Sequence, residues 1–294
     1  PLFEIERIGE ASPEPPGRGH ADRPLAGARV LDLSRIIAGP VAGRALAQHG
    51  AQVLLVNGPH LPNIAPLVID NGRGKRSATL DLRDEAAQAQ LRALVSDGAD
   101  VFLQAYRPGS IAARGFAPEQ VAQLRPGIVC VSISAYGHTG PWAMRRGFDS
   151  LVQSASGIAW TESRAAAMGD GVTQNAKQGR PKHLPGQALD HATGYLAAFG
   201  AMVALARRAT EGGSWHVRVS LAQTGRWLQS FGQLADGWRI PDVTYDDVQD
   251  CLETVASPFG RIRGAMPAER MSETPPFYAR PPVPIGTDEA RWEP

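Results

Sequence analysis

Short apolar runs recur through the middle of the chain, separated by longer amphipathic stretches. Val30-Leu31-Asp32-Leu33-Ser34, Val53-Leu54-Leu55-Val56, Ala78-Thr79-Leu80-Asp81-Leu82, Val101-Phe102-Leu103 and Ile128-Val129-Cys130-Val131 predict strands. Continuous rather than alternating hydrophobicity suits strands covered on both faces. A helix is predicted to open at Gly39-Pro40 and close at Gly50, with Pro40 in the first turn, where a missing N–H costs nothing. Asp84 is placed to cap a second helix with the stripe Ala87, Leu91, Leu94 and Val95. The segment from His191 to Arg208 carries Leu196, Phe199, Met202, Val203 and Leu205 among alanines and reads as a buried helix.

This alternation predicts an α/β fold: a Rossmann-like open, mostly parallel sheet flanked by helices with right-handed crossovers. Three zones follow. Residues 1–24 have linker composition, with Pro13, Pro15, Pro16, Gly17 and Gly19. Residues 25–234 are expected to form the α/β domain. Residues 235–294 are rich in proline and are expected to pack back in extended form on the domain or on a partner.

Composition narrows the classes. Of 294 residues, 43% are hydrophobic and 20% charged, which excludes wholesale disorder. Thirty basic against twenty-nine acidic residues leave a net charge of +1 without long like-charge blocks, against a nucleic-acid partner. Without a long unbroken apolar run or a signal-peptide pattern, no membrane association and a cytoplasmic location are expected. The chain begins at Pro1, which fits a processed piece or a fragment of something longer. Cys130 and Cys251 have no metal-ligand spacing, so neither a metal site nor a disulfide framework is expected.

In a parallel sheet, ligands bind at the carboxyl ends of the strands. That directs attention to four loops: Ser34 to Pro40, Asn57 to Lys75, Gln104 to Gly109, and Ser134 to Pro141. The dinucleotide fingerprint Gly-x-Gly-x-x-Gly is missing after the first strand. Gly72-Arg73-Gly74-Lys75-Arg76-Ser77 has the wrong spacing for a phosphate loop but remains a basic, backbone-exposed turn. Asp190 opens the long buried helix. One reading is an N-cap worth about 1 kcal/mol. The other is a carboxylate kept ionised by the helix terminus, with space left beside it by Gly194, able to attack an acyl carbon.

Leu25-Ala26-Gly27-Ala28-Arg29-Val30-Leu31-Asp32-Leu33-Ser34 and Ala38-Gly39-Pro40 open an ordered series of motifs. It continues through Gly50-Ala51-Gln52-Val53, Gly74-Lys75-Arg76-Ser77-Ala78-Thr79-Leu80-Asp81-Leu82, Ala99-Asp100-Val101 and Tyr106-Arg107-Pro108-Gly109. Then come Tyr136-Gly137-His138-Thr139-Gly140-Pro141, Gly147-Phe148-Asp149, Asp190-His191-Ala192-Thr193-Gly194 and Gly212-Gly213-Ser214-Trp215. The series, over residues 25 to 225, resembles family III CoA-transferases, which include formyl-CoA and carnitine CoA-transferases and alpha-methylacyl-CoA racemase.

The resemblance implies a transferase that moves CoA between an acyl-CoA and a carboxylic acid. Asp190 falls on the family's catalytic aspartate, which forms a mixed anhydride and then an aspartyl-CoA thioester. Coenzyme A enters as substrate, with no tightly bound cofactor. It would lie near Lys75, Arg76, Ala105 and Tyr106, with backbone N–H groups of Ala38-Gly39-Pro40 or Tyr136-Gly137 at the developing oxyanion. The resemblance also implies a homodimer, possibly interlocked, or pairing with another family chain. The Trp-bearing segment from Trp215 to Trp238 offers apolar surface for it.

The chain departs from the pattern at several positions. Leu55 and Asn57 replace a lysine and a glutamate. Phe148 stands where the racemases carry histidine, which disfavours racemase activity, and Ile37 replaces the glutamine of formyl-CoA transferase. No counterpart of the family's second, smaller lid domain is legible after residue 225. Leu55, Asn57 and the missing lid motivate an alternative reading as a non-catalytic scaffold subunit.

Overall fold

The apolar runs become a single seven-stranded sheet in a computed structural model that describes residues 1–15, 23–169, 181–234, 237 and 240–293. Its strands are β1 (Phe3–Gly9), β2 (Arg29–Leu33), β3 (Gln52–Asn57), β4 (Lys75–Thr79), β5 (Val101–Gln104), β6 (Val129–Ser134) and β7 (Ser214–Ser220). Their spatial order is β1-β7-β6-β5-β2-β3-β4, parallel throughout except for β1, which runs antiparallel to β7. The expected α/β class is the one found.

Helices cover both faces. On one side, α1 (Ala38–Gln48) packs against the long helix that follows Pro185. Ala42, Ala45, Val101, Val131, Ala197, Ala201, Leu205 and Val217 form the layer between them and the sheet. On the other side lie α3 (Glu85–Ser96) and α4 (Pro118–Leu124), burying Leu91, Leu94, Phe102, Val121 and Cys130. The short α2 (Ala65–Asn71) leads into β4, while α5 (Asp149–Ala155) and α6 (Ile158–Gly169) follow β6. The long helix α7 (Ala188–Glu211) is followed by β7 and then α8 (Leu221–Ser230). By length and composition α7 passes for a membrane span, yet its apolar face is committed to α1 and the sheet.

Three local expectations need correction. The N-terminal segment is not all linker. Phe3-Glu4-Ile5-Glu6 alternates with period two, and the strand pairs Glu4 with Arg218 and Glu6 with His216. Residues 16–22 of that segment lie outside the described residues, as does Trp238. The third predicted strand starts at Lys75 rather than Ala78, because pairing with β3 aligns Val53 with Lys75 and Asn57 with Thr79. Its polar start hides it from the hydrophobic pattern. Asp84 stands at the N-cap position of α3, but its side chain makes no capping hydrogen bond.

The proline-rich tail is also not uniformly extended. Leu252–Ser257 (β8) and Gly260–Ala265 (β9) form an antiparallel hairpin turning at Pro258-Phe259. Beyond it the chain lies along the β4 edge. Asp288 accepts from Ser77 N at 2.8 Å and donates its own N–H to Ser77 O at 2.7 Å. Trp292 Nε1 reaches Leu94 O at 2.9 Å, and Tyr278 Oη donates to Gln48 Oε1 at 3.1 Å.

Candidate functional site

The start of α7 is set by an unusual turn. Gly186 and Gln187 both take left-handed backbone conformations, with φ of 66° and 55°, and Gln187 lacks glycine's freedom there. Gln187 is the N-cap residue, and its side chain makes no cap. Asp190 lies inside the first turn and does not cap the helix. Its backbone N–H instead donates to Asp149 Oδ2 at 2.9 Å. Asp149, fully buried at the start of α5, also accepts from Gln153 Nε2. Gln153 Oε1 in turn accepts from Leu184 N at 2.7 Å. The capping oxygen thus comes from a different helix, a role for Asp149 that sequence reasoning misses. The i, i+4 spacing of Asp149 and Gln153 is the available signal.

Asp190 is 6% exposed. Burial, with the Asp149 carboxylate adding to it, pushes its pKa up to about 7. A helix terminus stabilises a first-turn carboxylate by only about 0.3–1 kcal/mol. Here desolvation outweighs that dipole, so the carboxyl is not held firmly ionised as the sequence suggested. Gly194 leaves no open space beside it either: a Cβ there would stand 2.6 Å from Ala38 O and 2.7 Å from Val41 Cβ. The glycine lets α7 approach the first turn of α1.

That first turn lies at the topological switch point. From β2 the chain runs one way to β3 and β4 and the other way to β5, β6 and β7. A Cβ on Gly39 would collide with Ser34 and come within 3.2 Å of Ala105 Cβ, so Ala38, Gly39, Pro40 and Ala105 meet there. Ile36 has a φ of 74°, which is strained for a β-branched residue. Three side chains pin this loop: Asn57 Nδ2 to Ser34 O at 3.2 Å, Asn71 Nδ2 to Ile36 O at 3.0 Å, and Lys75 Nζ to Pro40 O at 2.7 Å. Asn57, a departure from the family pattern, therefore has a structural partner.

A cavity of about 490 Å³ opens at the ends of β5, β6 and β7. Tyr106, Tyr136 and Gly137 line it, together with Arg107, His138 and Arg218. In its wall His216 Nε2 lies 2.9 Å from Ser132 Oγ, and Arg218 Nη1 lies 3.3 Å from His216 Nδ1. Burial, then Arg218, lower the His216 pKa to about 4. Asp190 does not line this cavity.

The two cations singled out for phosphate recognition face protein. Lys75 is 1% exposed and pairs at 2.7 Å with Asp32 Oδ2, itself 0% exposed. Ser34 Oγ donates to the other Asp32 oxygen. Burial pulls the Lys75 pKa down while Asp32 opposes it. Arg76 donates to Arg291 O at 2.6 Å and lies 3.4 Å from Asp288 Oδ1, so the returning tail occupies it. At the strand-end cavity Arg107 lines the wall, whereas Arg218 is paired with Glu4 at 3.3 Å and with Glu6, and His138 Nε2 lies 3.4 Å from Glu4.

Residues 25–242 match the sequence profile of CoA-transferase family III. A probable fatty acyl-CoA transferase of Mycobacterium tuberculosis is 34% identical over 221 residues, covering 71% of this chain and 53% of the relative. Human succinyl-CoA:glutarate CoA-transferase is 32% identical over 205 residues, or 64% of this chain and 43% of the relative. A crystal structure of a mutant of that mycobacterial protein superposes with a TM-score of 0.60 at 32% identity, covering 71% of this chain and 56% of that one. A CAIB/BAIF family protein from Brucella suis gives a TM-score of 0.60 at 27% identity, covering 81% and 65%. The chain spans about half the length of these curated relatives. With the profile matched over most of its length, the chain belongs to CoA-transferase family III.

Proposed function

We propose that the chain carries the nucleophilic half of a CoA-transferase site, moving CoA between an acyl-CoA and a carboxylic acid through Asp190. The observation that carries this reading is the carboxyl of Asp190, buried, slightly open to solvent and delivered by a strained turn. A desolvated carboxylate is a better nucleophile than a hydrated one, and a pKa of about 7 leaves much of it ionised at neutral pH.

The steps balance without an outside reagent. An Asp190 oxygen attacks the thioester carbonyl, the C–S bond breaks, and CoA leaves as thiolate. The thiolate attacks the Asp190 carbonyl of the mixed anhydride, releasing the donor acid as its carboxylate and leaving an aspartyl-CoA thioester. The acceptor carboxylate attacks that thioester, expelling CoA thiolate and forming a second mixed anhydride; the thiolate then attacks the acceptor-derived carbonyl, giving the new acyl-CoA and freeing Asp190 as its carboxylate. The backbone N–H groups of Ala38 and Gly39, in the turn that α7 touches through Gly194, are suited to the oxyanion. The cavity lined by Tyr106, Tyr136 and Gly137, with Arg107 and His138, suits a phosphate-bearing part of CoA. Incubation with acyl-CoA followed by hydroxylamine should yield a hydroxamate on the peptide bearing Asp190. A hydroxamate on another peptide, or none, overturns the assignment.

Pairing with a second copy belongs to the same proposal. Phe148 just before α5, Leu151 of α5, Trp160 of α6, and Trp227 with Phe231 at α8 are exposed, and α5 packs against both α6 and α8. An apolar face of this kind suits an interface. Light scattering is expected to give twice the 31.3 kDa chain mass; a monomer at micromolar concentration would refute it.

A further inference from the structure

Two backbone donors flank the left-handed turn before α7: Leu184 N on one side and Asp190 N on the other. The side chains joining them form a chain of fixed polarity. Leu184 N–H points at Gln153 Oε1, so Gln153 must turn its Nε2 outward, toward Asp149 Oδ1. Asp190 N–H takes Asp149 Oδ2. Since both ends of the chain are donors, its middle member must accept on both oxygens. That is the pattern of a carboxylate; an acid or an asparagine would turn a donor toward a donor. Asp149 is fully buried and Gln153 equally so, hence neither bond has water to replace it.

We infer that Asp149 and Gln153 are a positioning relay that holds the Leu184–Gln187 turn and with it fixes Asp190 at the start of α7. The inference rests on the reading of Asp190 as nucleophile only for its kinetic consequence. The raised Asp190 pKa agrees with the closeness of Asp149: burial pushes it up first, and the Asp149 carboxylate adds to it. Among the described residues, the other ionisable groups around the turn are otherwise engaged or lie at the surface. Arg44 of α1 pairs with Asp70 of α2 at 2.5 Å, and His183 Nε2 lies 3.0 Å from Ser154 Oγ. His191, next in sequence to Asp190, has its pKa lowered by burial. Glu162 of α6 receives Gln233, and Arg226 of α8 is exposed.

The test is a ¹³C NMR titration of the carboxyl groups, with the Asp190 signal assigned by its loss in Asp190→Asn. The wild type should titrate near pH 7 at this signal. In Asp149→Asn the midpoint should fall, since the neighbouring charge is gone, yet stay above the ordinary carboxylate range, since burial remains. In Gln153→Met, which keeps that charge and loses the strap, the midpoint should stay within about half a unit. In the same variant kcat should fall about tenfold with KM for acyl-CoA little changed, as expected when a nucleophile is misplaced but binding is not. An unmoved midpoint in folded Asp149→Asn overturns the relay. If that variant does not fold, an unchanged kcat in Gln153→Met overturns it. A wild type that titrates near pH 7 but exchanges no CoA defeats the transferase reading and leaves the relay standing.

Discussion

Asp190→Asn is expected to abolish CoA exchange and, at pH 8, to make the protein more stable. The loss follows from the chemistry, because an amide cannot form the anhydride. Removal of a covalent nucleophile costs about a thousandfold or more in rate. The gain follows from linkage. A carboxyl whose pKa is raised from 3.8 to about 7 binds its proton more tightly in the folded state. The contribution of Asp190 to native stability is therefore greatest below the ordinary carboxylate range and is lost as pH climbs from about 4 toward 7. A tenfold difference in proton affinity between the folded and unfolded chain is worth about 1.4 kcal/mol, which bounds the effect at about 4 kcal/mol. Thermal melts at pH 4 and pH 8 separate the two contributions: the variant should match the wild type at the first and exceed it at the second. Exchange by the wild type should rise with pH through about 7 as Asp190 ionises. Retained exchange in Asp190→Asn or Asp190→Ala would remove Asp190 from the mechanism.

Asp32→Ala is expected to be the most damaging single change to stability. Asp32 and Lys75 are both sealed, at 0% and 1% exposure, and joined at 2.7 Å. Glycine at position 43 lets α1 press onto them, since a Cβ there would come within 2.8 Å of Lys75 Nζ. Deleting one partner leaves an uncompensated charge in a space too tight for water, at a cost of about 3–5 kcal/mol. Replacing both by apolar residues of similar volume, Asp32→Leu with Lys75→Met, should cost far less, because no charge is stranded. Urea unfolding of the two variants makes the comparison. A cost below about 1 kcal/mol for Asp32→Ala would show that water reaches the pair. Weakened CoA binding in a Lys75→Glu variant would accordingly report damage to the loop that Lys75 holds through Pro40 O, rather than a lost phosphate contact.

What is legible in the sequence follows from how each element is stabilised. The strands from Val30, Val53, Val101 and Val129 open on buried apolar runs and can be read directly. Strand β4 begins Lys75-Arg76-Ser77, three buried polar residues each matched by a partner from elsewhere in the chain: Asp32, the tail and Asp288. No local pattern shows that a cation will meet a carboxylate 43 residues away. The same blindness makes Lys75 and Arg76 look like surface cations awaiting phosphate. Asp190 stands out through its motif. Its protonation does not, because the dipole is visible in a helix start and burial is not.

The tail gives the molecule an order of completion. Its last stretch lies on β4 through Ser77 and Asp288 and on α3 through Trp292. During synthesis β4 and α3 emerge some two hundred residues before the segment that covers them, since Ser77 and Asp288 lie 211 positions apart. Until that segment leaves the ribosome, one side of the sheet offers unpaired backbone groups to any neighbouring nascent chain. The far border, β1, carries Glu4, Glu6 and Arg7, whose charges discourage such pairing, whereas β4 depends on the late-arriving cover. Clipping residues 284–293 would therefore be felt first as aggregation, and only second as lost stability.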